Sequence, residues 1–100
     1  MANEFAIDVL YSTGWLPLDT SGCSKDAAGR WYPSGARCQS ECEECGATLS
    51  TAEPAGFGCV TVDWETDRGS GRCIAGDAEE ALIHALAQVR RSRMTAIVQA

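Results

Sequence analysis

Residues 77–92 constrain this chain more than any other stretch, because their helical period is unambiguous and their apolar face has to be covered by something. Ala78, Ala81, Leu82, Ala85, Leu86 and Val89 recur at the spacing of one helix face. Asp77 is placed to accept a hydrogen bond from an early backbone N–H. Glu80, three residues on, is placed to reach back, which is the capping-box spacing with acidic charge at the positive end of the dipole. Arg90, Arg91 and Arg93 stand where the helix is expected to end, matched to the negative end. Burial of Leu82, Leu86 and Val89 contributes roughly 1.5–3 kcal/mol each. The cap contributes about 1 kcal/mol. Packing therefore outweighs local propensity, and the chain must supply a sheet or another helix as partner.

The flanking residues offer a sheet. Val60, Val62 and Trp64 alternate with Thr61, Asp63 and Glu65, the period of a strand with one dry face. Thr66–Gly71 carries turn residues, and Arg72–Ala75 is expected to return as the second strand of a hairpin. Thr95–Gln99 is expected as a last strand. Near the start, Phe5, Ile7, Val9 and Tyr11 alternate with Ala6, Asp8 and Leu10, which predicts a first strand. Trp15–Asp19 is expected as an edge strand, the only sheet position that tolerates Pro17. Thr20–Pro33 and Thr48–Gly58 read as loops, with a turn at Asp26–Gly29. Cys38, Cys42, Cys45 and Leu49 fall on one helical face, giving a second helix over 35–47. The expectation is one α+β domain over residues 1–100, a mainly antiparallel sheet packed against one or two helices.

One hundred residues suffice for a core without obligatory staples, and a 22% charged, 45% apolar composition is that of a globular chain. No apolar run reaches the length of a membrane span. The opening residues lack a basic start and a long apolar core, so the expected location is intracellular, in the cytoplasm. The net charge of −6 is uneven. Residues 41–80 hold ten acids against Arg68 and Arg72, a local balance of −8. Direct binding to a nucleic-acid backbone is disfavoured, because counterion release needs clustered cations.

Six cysteines are the only constellation with chemical potential: Cys23, Cys38, Cys42, Cys45, Cys59 and Cys73. Packing is the leading reading, since free cysteine behaves as a small buried apolar residue. The second is structural zinc. Cys42-Glu-Glu-Cys45-Gly46 is similar to a zinc knuckle, Cys38 is a third candidate ligand, and Cys23, Cys59 or Cys73 would be the fourth. The set taken forward is Cys23, Cys38, Cys42 and Cys45. A third reading pairs Cys59 and Cys73 across the hairpin after a small register shift. Iron–sulfur or thiol-exchange chemistry ranks last. The Cys-x3-Cys-x2-Cys spacing resembles that of radical enzymes using S-adenosylmethionine, but that scaffold is far larger, and Glu41, Glu43 and Glu44 oppose an attacking thiolate.

His84, the single histidine, falls on the polar side of the long helix and reads as solvated, not as a general base. Gly56-Phe57-Gly58 is too short for a nucleotide motif. With no coherent catalytic set, the functional expectation is a non-enzymatic acidic binding protein. Its contact residues would be Glu41, Glu43, Glu44, Asp63, Glu65 and Asp67, presented to a basic groove of a nucleoprotein partner. The short length, acidity and compact α+β form together resemble, in general character, the anti-CRISPR proteins, small phage-encoded inhibitors of bacterial defence. That resemblance implies inhibition by occupying a nucleic-acid-binding groove and assigns no individual residue. The alternative is a zinc-stabilised module within a larger assembly, with no other cofactor expected.

Overall fold

The computed structural model of the chain describes residues 3–52 and 58–99. In chain order the elements are α1 (Asn3–Tyr11), β1 (Cys23–Lys25), β2 (Trp31–Pro33), α2 (Gly35–Glu44), β3 (Thr48–Ala52), β4 (Val60–Thr66), β5 (Gly69–Ala75) and α3 (Ala78–Gln99). Strands β1 and β2 form a small antiparallel ribbon, and β3-β4-β5 form an antiparallel sheet. The fold is α+β.

Helix α3 organises the rest, and it is buried more widely than a single stripe. Asp77 caps it, its Oδ1 accepting from the Glu80 N–H at 2.8 Å. Ala81, Leu82, Ile83, Ala85, Leu86, Ala87 and Val89 are all buried, an arc broader than one face can account for. Three neighbours share that arc. Leu82 faces the start of α2, where a Cβ on Gly35 would meet its Cδ1 at 3.1 Å. Gln88 faces the sheet, its Oε1 accepting from the Trp64 indole N–H at 2.7 Å. His84 faces α1, its ring 5.8 Å from that of Phe5.

Several expectations need correction. Residues 5–11 are the helix α1, not a strand. Ala6, Ile7 and Leu10 are wholly buried while Phe5 is 69% exposed, so the i, i+1, i+4 pattern against α3 prevails over the two-residue alternation. Trp15–Asp19 is an irregular segment and no edge strand. The span Thr20–Pro33 contains the β1–β2 ribbon, with the expected turn at Asp26. There Asp26 Oδ1 accepts from the Ala28 and Arg30 N–H groups at 3.0 and 2.8 Å. The region following Ala47, expected as a loop, begins with β3; residues 53–57 lie outside the described residues. The β4–β5 turn is tighter than Thr66–Gly71, since Thr66 pairs with Gly69 around Asp67 and Arg68. Residues 95–99 continue α3 and do not form a strand.

The basic residues Arg90, Arg91 and Arg93 are consequently inside a helix, not at its end. Arg90 Nε donates to Thr13 Oγ1 at 2.9 Å and Arg91 to Ser12 Oγ at 3.2 Å. Thus two of the three cations meet the C-terminal end of α1, where the dipole of that helix is negative.

Candidate interaction surface

Two of the six carboxylates expected to meet a partner, Glu44 and Asp67, are brought to one concavity by a helix stop. Gly46, with φ +84°, follows α2 in the left-handed conformation that a glycine adopts without a Cβ penalty. The Gly46 N–H donates to the Glu43 carbonyl and the Ala47 N–H to the Cys42 carbonyl, both at 2.9 Å. This paired closure turns the chain directly into β3, whose Thr48 lies opposite Glu65 of β4. Two residues later comes the turn residue Asp67. Glu44 at the end of α2 and Asp67 of the turn are thereby brought together although 23 positions apart in sequence. Glu43 stands on the same last turn of α2, while Glu65, next to the inward-facing Trp64, projects from the other face of the sheet with Asp63 and Arg72. Glu44 and Asp67 line one concavity of about 640 Å³ together with Arg68 and Arg93.

Glu43, Glu44, Glu65 and Asp67 are all exposed, and none enters any of the four ion pairs among the described residues. The other two expected contact residues are engaged internally. Asp63 receives Arg72 Nε at 2.6 Å and its second guanidinium nitrogen at 3.2 Å, directly across the strand pair. That guanidinium holds the Asp63 carboxyl below the usual range. Glu41 accepts from the Trp15 indole at 3.0 Å and from Arg37 Nε at 2.8 Å. The hairpin edge is thus less anionic than its composition suggests, and the carboxylates left to meet a partner are those at the α2 end and the β4–β5 turn.

The cysteines are all free. Cys38 and Cys42 point into the core, where burial raises both thiols above their ordinary value, Cys42 to about 12. Cys73 is also buried and pushed up to about 11. Cys45, half-buried at the helix stop, receives the Arg93 guanidinium at 3.6 Å, and Cys23 receives that of Arg37 at 3.2 Å. Burial raises the Cys23 thiol as well. The expected zinc set is therefore divided between the core (Cys38, Cys42) and two sulfurs engaged by guanidinium groups. Among the described residues no three His, Cys, Asp or Glu side chains are grouped to hold a metal ion. The Cys59–Cys73 pairing is not made: the register sets Cys73 opposite Val62 and leaves Cys59 outside β4. His84 is half-buried against Phe5, not fully solvated.

Sequence reasoning missed Arg37, the residue that fixes the loop between α1 and the ribbon. Ser34 caps α2 by accepting from the Arg37 N–H at 3.2 Å. From this first turn the Arg37 guanidinium donates to the Asp19 carbonyl and, at 2.7 Å, to the Ser21 carbonyl. The i, i+4 spacing of Arg37 and Glu41 was the legible half of this clamp. The carbonyls it holds were not legible, because they belong to a segment without periodicity.

Comparison with family models, curated proteins and solved structures yields no match. No helix among the described residues is long and apolar enough to cross a membrane.

Proposed function

We propose that this protein acts by binding, without bond-breaking chemistry, and that its anionic end occupies a basic groove which otherwise holds nucleic acid. In this reading it is a cytoplasmic inhibitor of the anti-CRISPR kind. The single observation that carries the reading is that Glu43, Glu44, Glu65 and Asp67 stay exposed and outside the internal ion pairs among the described residues, with Glu44 and Asp67 sharing one concavity. Carboxylates mounted on a helix end and a hairpin keep their spacing, so they meet a row of cations without first being ordered. At that concavity Arg68 and Arg93 balance Glu44 and Asp67, so the excess negative charge is that of Glu43 and Glu65. Long-range attraction then favours encounter with a cationic surface and decays with salt.

Fluorescence anisotropy of a labelled DNA duplex bound by a panel of guide-loaded CRISPR effectors tests this. The wild-type protein is expected to release the duplex from at least one effector, and release should weaken steeply between about 50 and 200 mM salt. The combined variant Glu43→Lys, Glu65→Lys, Asp67→Lys should lose it. Undiminished release by that variant, or no release from any effector, overturns the reading.

A further inference from the structure

The segment Trp15–Gly22 presents two leucines to solvent from a rigid base. Leu16 is 70% exposed and Leu18 fully so, whereas Trp15 before them is 2% exposed, its indole N–H bonded to Glu41. Behind the leucines, the Arg37 clamp fixes the carbonyls of Asp19 and Ser21. The two side chains are thus held outward in a fixed backbone, and an exposed apolar patch with a polar rim marks an interaction site. Beside this knuckle runs a groove of about 730 Å³ along α2. On α2 its wall carries the small side chains Ala36 and Ser40, one helical turn apart, beside the internally paired Arg37 and Glu41. At its far end stand Glu44 and Arg93, both exposed, of opposite sign, and outside the ion pairs among the described residues.

We propose that this face is a two-fold interface between copies of this chain: Leu16 and Leu18 of each copy seat in the groove of the other, and each Glu44 pairs with the Arg93 of the second copy. A two-fold contact brings the same patch onto itself, so the patch must carry both halves of every interaction. This one does. It holds a projecting apolar knuckle and a groove and, apart from the internal Arg37–Glu41 pair, the acids Asp19 and Glu44 with the base Arg93. A wholly basic partner would meet Arg93 unfavourably here, while a second copy satisfies both Glu44 and Arg93. A standard interface of about 800 Å² per partner would cover about one seventh of the 5885 Å² surface. The inference shares Glu44 and Arg93 with the acidic end of the proposed function, but Glu43, Glu65 and Asp67 take no part in it, so the charge reversals that test that function leave the dimer test intact.

Sedimentation velocity and light scattering of the full chain, from micromolar to several hundred micromolar, test it. A dimer should form in that range. The double variant Leu16→Asp, Leu18→Asp should raise the dissociation constant about 30-fold or more, the effect of losing a central anchor. Its circular dichroism should stay native, because both side chains are already in water. Glu44→Arg and Arg93→Glu should each weaken the dimer about tenfold, and the two combined should restore it. A monomer at every concentration, a dimer indifferent to the leucine changes, or failure of the charge exchange to restore association would each overturn the proposal.

Discussion

Gly71 sits under the Trp64 indole at their shared position in the β4–β5 ladder, and the close approach requires the missing side chain. A Cβ there would fall 2.5 Å from Trp64 Nε1 and 2.8 Å from Gln88 Oε1. Gly71→Ala should therefore displace the ring and break its bond to Gln88, destabilising the protein by about 1–3 kcal/mol. A lowered urea midpoint together with altered tryptophan emission is the expected result. At the same scale, burial divides the cysteines. Cys38, Cys42 and Cys73 should resist alkylation in the native state, while the half-buried Cys23, Cys45 and Cys59 react first. The buried thiols also set an alkaline limit. Their native values lie above the ordinary 9.0, so the unfolded chain loses those protons at lower pH. The stabilisation is complete below about pH 9 and is lost as pH rises towards 11 and 12. Urea midpoints that fall through this window, and fall less in Cys42→Ala relative to its own neutral-pH midpoint, are the outcome to look for.

Among the elements, α1 shows how a short apolar run is decided. Phe5–Tyr11 satisfies both a two-residue alternation and a helical face. A strand would place Phe5, Ile7, Val9 and Tyr11 on one side; the helix buries Ala6, Ile7 and Leu10, the first and last of them in the core that α3 organises, and leaves Phe5 beside His84. The α3 helix illustrates the converse, since its cap was legible. Asp77→Ala removes the acceptor for the Glu80 N–H and should cost about 1 kcal/mol, read as a shift in urea midpoint with unchanged slope. Its continuation to Gln99 was not legible, because Thr95, Ile97 and Val98 favour strands by propensity, a weak preference that helical context overrides. Likewise β3 has only one half-buried residue, Leu49, and four exposed ones, so no dry face announced it; pairing with β4 makes it a strand.

For the molecule as a whole, surface charge is organised by internal pairing as much as by composition. Asp19, Asp26 and Asp63 have carboxyls held below the ordinary range. The first two owe this chiefly to backbone N–H donors of Ser21 and Arg30, the third to the Arg72 guanidinium. A carboxyl whose native value is depressed stabilises the fold above the unfolded value of about 4 and ceases to do so as pH falls through the native value. Urea midpoints should therefore decline below about pH 4. Asp63→Asn should narrow that decline by lowering the neutral-pH midpoint while leaving the most acidic one unchanged. The salt-dependent binding proposed for the acidic end belongs to this scale too, since it depends on which carboxylates the fold leaves unpaired.

Periodicity and the Asp77 cap determined, without any tertiary information, the first part of α3, the presence of a helix within 35–47, the β4–β5 hairpin, the α+β class and the turn at Asp26. Each of these is a local pattern that repeats within one or two turns or strand pairs. Tertiary structure decided everything that needed a partner from elsewhere in the chain. It made α1 a helix by offering α3, made β3 a strand by offering β4, and sent Arg90 and Arg91 to the end of α1. It also split the six carboxylates, because Arg72 and Arg37 reach Asp63 and Glu41 while the turn at Gly46 leaves Glu44 beside the concavity that Asp67 lines. Composition counts charges; only the packed chain chooses which of them water, or another protein, can reach.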